Sequence, residues 1–565
     1  MKNNLLNDKN RENRYCAAVF LYVFAALIIR FTCFGFKYYP QLDDYIQYSN
    51  YHNAGLHWGL ILAQGLLSSR PLAGIFDLYV WGYFFNHMIW GVVLISAMYA
   101  LSAVLFLRVF SKYFGTGVMF VTFYSLMPFF FEGAYWVSAS SRVVVGLFFT
   151  AASVYFLSEF FSTKKILNAV LFWIFQLLAS CLYEQILIIA FVLAFGLSIL
   201  EFKNSKKSLL INLITLANAA IYIGITFAFK ASDDSALAGR MKIVMPSFTP
   251  FYVEFLRNLS VQFVSAFVSV PAEITFKGFV RGIWIMLSQK KILSLFGCIA
   301  VGAGAYVLCV RKEDCEPPRV RNAGFTLFCA LVAAAAPVSL FFIIDNPYFC
   351  LRNILASYVG IAIIFDMIFT RVFLGSRRAA GVAAFVMAFV FAASSVSEMH
   401  DYKAVNEFDR KIGNAVVQQI PLDEIRDGER TALLINSADK GTITAKYHEH
   451  VSGVISSDWA FQGFLTHLRR KRTPGGIVPI EYTDSVYHVR WNADALRLTG
   501  FDRIYAWNNE RGMFEQLYIS GYTGDGDDYY TLSDSSGNVD ATVKETEDRG
   551  YLFMETNSAS GARNS

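Results

Sequence analysis

The chain reads as a mainly α, polytopic membrane protein of about eleven transmembrane helices with a C-terminal extracytoplasmic α/β domain. Three observations predict this. Hydrophobic residues make up 55% of its 565 residues, at a mean hydropathy of +0.41, and they gather in repeated runs long enough to cross a bilayer. Basic residues collect in the short loops between those runs. Composition then changes near Glu398: from there on 18 Lys and Arg stand against 26 Asp and Glu, whereas the part before carries 31 against 18. A basic excess confined to loops between apolar runs follows from membrane topology, which implies a lipid bilayer as partner and argues against nucleic acid.

Residues 1–14 are polar, with Lys2, Lys9, Arg11 and Arg14, and read as a cytoplasmic N-terminus. The run 15–36 is long enough to span and lacks a small-residue cleavage site, so it is expected to be an uncleaved first helix. It opens a transmembrane domain over 15–397. Residues 37–83 form an outer loop whose Trp58, Trp81 and tyrosines suit helices lying in the interface. Further spans are expected at 84–107, at 116–131, from Arg142 to Lys164, then up to Tyr183-Glu184-Gln185, back to Lys203, and at 208–229. Arg311, Lys312, Arg319 and Arg321 make another basic loop, so 230–291 must cross zero or two times. Zero is favoured, because Phe279–Ser288 is too short to span and is flanked by Lys277, Lys290 and Lys291. Residues 230–291 then form a second outer loop, with Phe251–Phe276 as an interfacial or re-entrant helix. Spans at 292–310, 323–344, 353–370 and 379–397 complete the set and leave the C-terminus outside.

Residues 398–520 read as a soluble domain, with Ala432-Leu433-Leu434-Ile435-Asn436 and Arg503-Ile504-Tyr505-Ala506-Trp507 as strands. Residues 521–565 are acidic and rich in Gly, Asp and Ser, which predicts a poorly ordered end. All eight cysteines lie at or before Cys350, and they form no disulfide framework, zinc pattern or Cys-x-x-Cys motif.

The stretch with most chemical content is Tyr38-Tyr39-Pro40-Gln41-Leu42-Asp43-Asp44-Tyr45-Ile46-Gln47-Tyr48, two adjacent carboxylates directly after the first apolar run. They suit a general base; alternatively Pro40 and Asp43 start a surface helix, since Asp is a favoured N-cap. Arg70, Arg142 and Arg352 fall on the outer side, against the positive-inside bias, so each invites an anionic partner such as a lipid phosphate. The competing role for each is a structural pair with Glu132, Glu184 or Asp345, or contact with lipid headgroups. Glu132 and Glu184 are either supporting acids or carboxylates reaching for water. Trp136, Tyr135, Trp58 and Tyr79 suit sugar stacking and equally an interfacial belt. His448-Glu449-His450 lacks a third metal ligand, Asp525-Gly526-Asp527-Asp528 does not fit a calcium loop, and His52 and His57 read as loop residues.

Asp43-Asp44-Tyr45, Ser69-Arg70-Pro71, Glu132 with Trp136, and Tyr183-Glu184-Gln185 together resemble the GT-C membrane glycosyltransferases, and within them the bacterial GtrII-like glucosyltransferases. The resemblance covers about residues 15–397. It implies a polyprenyl-phosphate-linked sugar as donor and a surface glycan or lipid-linked glycan as acceptor, at the outer face of a bacterial cytoplasmic membrane. It also implies inversion at the anomeric carbon, with Asp43 or Asp44 as the base and Asp44 slightly ahead. Arginines would hold the donor phosphate, Arg352 first and Arg70 and Arg142 next. Some GT-C enzymes use a divalent metal, Mg2+ or Mn2+, and others do not; Asp43 with Asp44 suits either case. A glycan polymerase or ligase, a non-catalytic lipid-linked sugar flippase or transporter, and a structural anchor displaying the C-terminal domain are the competing readings; an anchor would not need about eleven helices. Against transport, the paired broken helices and charged midplane of such carriers are not evident in the sequence.

Overall fold

A computed structural model describes residues 2–45, 58–63, 65–202, 206–229, 244, 246–247, 249–310, 323–344, 347–426, 428–436, 453–483, 486–488, 498–525, 527–545 and 551–556. His52, His57, Asp345, His448-Glu449-His450 and the basic loop at 311–321 lie outside them. The described residues fall into two compact units. One comprises residues up to Tyr38 and from 58 to Met399; the other comprises residues 39–45 and those from His400 onward.

The first unit is helical. Among the described residues nine helices are long and apolar enough to cross a membrane: Arg11–Phe31, Trp81–Phe114, Val137–Thr163, Glu184–Glu201, Ser208–Ala228, Pro250–Ser288, Ile292–Val310, Ala323–Phe342 and Arg377–Gln419. Several leave large apolar side chains uncovered, among them Leu293, Phe296, Leu213 and Phe227, which is the surface a lipid phase requires. Where helices touch, small residues let them close up: a Cβ on Gly282 would collide with the Ala393 carbonyl oxygen.

Nine rather than eleven follows from three expected spans that are interrupted or short and one expected loop segment that is a long apolar helix. Residues 116–131 do not make one span. Helix Val118–Ser125 stops, a 3-10 turn covers Pro128–Phe130, and Phe131–Ala134 adds one more turn. Pro128 has no N–H to continue the ladder and pushes Met127 to an extended ψ of 133°. Likewise 353–370 divides into Leu351–Ile354 and the 15-residue helix Tyr358–Val372, while the fifth expected span is the 15-residue helix Ile166–Ser180. In the other direction, the interfacial helix expected over Phe251–Phe276 and the run Phe279–Ser288 join into one apolar helix, Pro250–Ser288. It passes through a π-helical segment at Ser265–Ser269, an inserted residue's way of keeping a helix continuous just before Pro271. The shortness of Phe279–Ser288 therefore no longer argues against a crossing in this segment.

In the second unit eight strands close into a barrel. In chain order they are β1 (Thr431–Asn436), β2 (Ile477–Thr483), β3 (Val486–His488), β4 (Arg503–Asn508), β5 (Met513–Asp525), β6 (Asp527–Ser533), β7 (Val539–Glu545) and β8 (Tyr551–Thr556). Their spatial order is β1-β2-β3-β8-β7-β6-β5-β4. β1 runs parallel to both β2 and β4, and the remaining neighbours are antiparallel. The amphipathic helix Asp458–Arg469 lies in the connection from β1 to β2, as a parallel crossover requires. Ala432, Leu434, Ile480, Ile504, Leu517, Tyr530 and Leu532 fill a core between the strands. The two strands expected near 432–436 and 503–507 are β1 and β4. The expectation of a poorly ordered end over 521–565 is corrected for the described residues 521–525, 527–545 and 551–556, which complete β5 and supply β6, β7 and β8, because closure pairs every strand on both sides.

Candidate functional site

The first unit brings together segments that lie up to 283 residues apart along the chain. The site starts at Arg70, which directly precedes the helix Pro71–Tyr79; Pro71 takes the first helical position, where its missing N–H costs nothing. The Arg70 Nε donates to both Glu184 carboxylate oxygens, at 3.0 and 3.1 Å, and its guanidinium lies 4.3 Å from the Tyr183 ring centre. The Tyr222 hydroxyl donates to Ser69 O at 2.8 Å and fixes the chain just before Arg70.

From Tyr183 the network continues to Asn353. Its Nδ2 donates to the Tyr183 hydroxyl at 3.2 Å and to Gln185 Oε1 at 3.3 Å, and Gln185 Nε2 returns a bond to Asn353 O at 3.2 Å. Asn353 is buried and its Oδ1 accepts the Cys350 amide at 3.0 Å, so the turn carrying Arg352 is fixed from within. The Arg352 amide donates to Glu132 Oε2 at 3.3 Å, and its guanidinium lies 5.3 Å from the Trp136 ring centre. Gly133 admits this approach, since a Cβ there would sit 3.1 Å from Leu355 Cδ2. Arg352 keeps partial exposure, whereas Glu132 and Trp136 are buried.

Other expected site residues go elsewhere. Arg142 lies inside the helix Val137–Thr163 and pairs with Asp77 at 2.7 Å, with side-chain exposures of 7% and 1%. Its guanidinium is thus spent on a buried ion pair, not offered to a phosphate. Tyr135 is fully buried between Phe31 and Tyr38, at ring distances of 5.2 and 5.0 Å, and has no face left for a sugar. Trp58 donates its indole N–H to the Tyr79 hydroxyl at 3.0 Å.

Asp43 and Asp44 belong to the second unit. Leu42 adopts φ 31°, unusual for a residue with a Cβ, and the turn it makes is locked by reciprocal bonds: Gln41 N to Asp44 Oδ2 at 3.0 Å and Asp44 N to Gln41 O at 2.9 Å. Asn406 Nδ2 donates to Pro40 O at 3.0 Å and to the Tyr45 hydroxyl at 3.1 Å, and Gln41 Nε2 donates to Tyr402 O at 3.3 Å. Tyr402 and Asn406, four apart on helix Arg377–Gln419, present one face to the turn. Burial, reinforced by Asp409, pushes the Tyr45 phenol far above its ordinary range, so it stays protonated. Asp44 is fully buried with one oxygen committed to Gln41, while Asp43 retains partial exposure. A general base must reach the proton it removes, which favours Asp43. Among the described residues no group of three His, Cys, Asp or Glu side chains that could hold a metal ion comes together.

Sequence reasoning missed two buried ionisable residues that close the broken helix Val118–Ser125. Asp366 accepts the Gly117 and Phe120 amides at its N-terminus, at 2.8 and 2.9 Å. Arg30 donates to Ser125 O and Met127 O at its C-terminus, at 3.2 and 3.0 Å. Each charge sits where the free backbone groups and the helix dipole call for it. The available signal was an isolated charge in each of two apolar runs, Ile28-Ile29-Arg30-Phe31 and Ile364-Phe365-Asp366-Met367. Compared with models of known protein families and with curated proteins, the sequence matches none.

Proposed function

We propose that the protein is a membrane glycosyltransferase that moves a sugar from a polyprenyl-phosphate donor to a surface or lipid-linked glycan at the outer face of a bacterial cytoplasmic membrane. The observation that carries this reading is the network Arg70–Glu184/Tyr183–Asn353–Arg352–Glu132/Trp136. It joins three of the sequence pieces on which the resemblance rests, and it presents a partly exposed guanidinium held over an aromatic face. In this reading the Arg352 fork takes the donor phosphate and stabilises its charge as the glycosidic bond breaks. The base role that the resemblance implies for Asp43 or Asp44 goes to Asp43 by its partial exposure: a carboxylate takes the acceptor hydroxyl's proton as that oxygen displaces the lipid phosphate from the anomeric carbon with inversion. Arg70, anchored on Glu184, supports the donor site, and Arg142 serves the packing.

The test is direct. Wild-type protein in lipid nanodiscs is given polyprenyl-phosphate [14C]glucose and a cell-envelope extract. Label is expected to pass from lipid to glycan with the wild type and not with Asp43→Asn. Label that stays on lipid with both proteins, while label crosses sealed vesicles, would replace transfer with transport.

A further inference from the structure

The second unit contains a polar cleft of about 350 Å³ at the starting ends of the parallel strands β1 and β2. Its volume falls at the lower end of the range of about 300–1,000 Å³ typical of ligand sites. Glu429 and Arg430 come from the residues just before β1, Gly475 and Gly476 from those just before β2, and Asp458 and Gln462 from the first two turns of helix Asp458–Arg469. Asp458 and Gln462 are four apart and share one helix face.

The walls are held from outside the cleft. Glu429 is tied to Arg503 of β4 at 3.5 Å and is still 25% exposed, and the Arg430 amide donates to Asp502 Oδ2 at 2.8 Å. Gly476, at φ +85°, brings its carbonyl to the Thr431 amide at 2.8 Å, and a Cβ there would collide with the Glu429 carbonyl. Gly475 has only Gln462 Nε2 near its Cβ position, at 4.0 Å. One rim is therefore bare backbone.

The chemistry of this lining selects its ligand. A phosphate would meet two carboxylates. A metal ion would want three ligating side chains together, which the described residues do not provide. An apolar ligand would cover charged groups at a high cost in desolvation. A polyhydroxylated ring fits instead, because each of its hydroxyls both donates and accepts, while Glu429 and Asp458 accept and Arg430 and Gln462 donate. We infer that this cleft binds a saccharide unit, and that in the intact protein it holds the acceptor glycan. The identification as acceptor rests on the transferase reading above; the binding itself does not.

The full chain in lipid nanodiscs is examined by saturation-transfer NMR with free glucose, galactose, mannose, N-acetylglucosamine and rhamnose. At least one sugar is expected to receive saturation. Its affinity should fall about tenfold in Asp458→Ala, the loss of one charge-assisted hydrogen bond, and its signal should vanish in Gly475→Trp, which fills the cleft. Both variants should melt as the wild type does. Absence of transfer to every sugar, or signals equally strong in both variants, overturns the inference. Asp43→Asn should leave the signal intact. If glycan transfer is never observed but Asp458→Ala still loses sugar binding, the cleft stands and the transferase reading falls. Observed glycan transfer with no sugar bound here removes the cleft alone.

Discussion

The two units satisfy their backbones in opposite ways. In the helical unit each long element closes its own hydrogen bonds, and the break around Val118–Ser125 is closed by ionisable side chains from far along the chain, Arg30 and Asp366, while the turn carrying Arg352 is closed locally by the Asn353 carboxamide. In the second unit the bonds run between strands, and buried carboxylates order turns, as Asp44 does for Gln41 and as Asp409 does by accepting the Val454 amide at 3.0 Å. The difference teaches where chemistry can be sought. A buried charge with all its work done on backbone or on an opposite charge is a structural part. A charge that keeps partial exposure, such as Asp43 or Arg352, can be reached from outside the fold.

That division has measurable consequences, the largest at Asp43. Asp43→Asn should lower transfer about 10²–10⁴-fold with the protein still inserted and folded, the range for losing a general base. Next comes Arg142→Ala, which strands a buried Asp77 carboxylate and should cost about 3–5 kcal/mol. Melting in detergent measures it, and the double change Arg142→Met with Asp77→Leu should recover most of the loss. A wild-type melt for Arg142→Ala would break the assignment of this pair to structure. Asp366→Ala should cost about 1–3 kcal/mol through two unpaired backbone amides. Arg352→Ala should raise the apparent KM for the lipid-phosphate donor about tenfold while stability holds. An unchanged KM would move Arg352 to the structural class.

The smallest effect is expected at Asp423. It lies exposed beside Lys471 at 2.8 Å and Arg469, and the Lys471 hydrogen bond holds its carboxyl below the ordinary carboxylate range. A depressed folded value means that its contribution is present above the unfolded carboxylate's pKa and is lost as pH falls through the folded one. Asp423→Asn should therefore melt like the wild type at acid pH, and only slightly lower at neutral pH.

The sequence was legible where apolar character alone decides. Uninterrupted runs such as 292–310 and 208–228 coincide with helices because a spanning helix needs no partner to pair its backbone. It was illegible where a distant residue decides. Val118–Ser125 ends early because Pro128 and Arg30 make that stable, and Arg30 is nearly a hundred residues away. The strands after 521 carry Gly and Asp that favour turns locally, and only pairing around the barrel overrides them. For the candidate site, Arg70, Glu132, Glu184 and Arg352 could be singled out as charges beside the loops expected on the outer side, but Asn353, which links Tyr183 and Gln185 to that turn, carries no such mark in the sequence. Asp77 likewise gives no hint of Arg142.

Mass spectrometry of the cell-surface glycan tests the central claim most directly, in cells lacking the protein and in the same cells complemented with wild type or with the Asp43→Asn, Asp44→Asn double variant. The account predicts loss of one sugar increment, restored by wild type and not by the variant. A glycan that is the same in all three strains would contradict it.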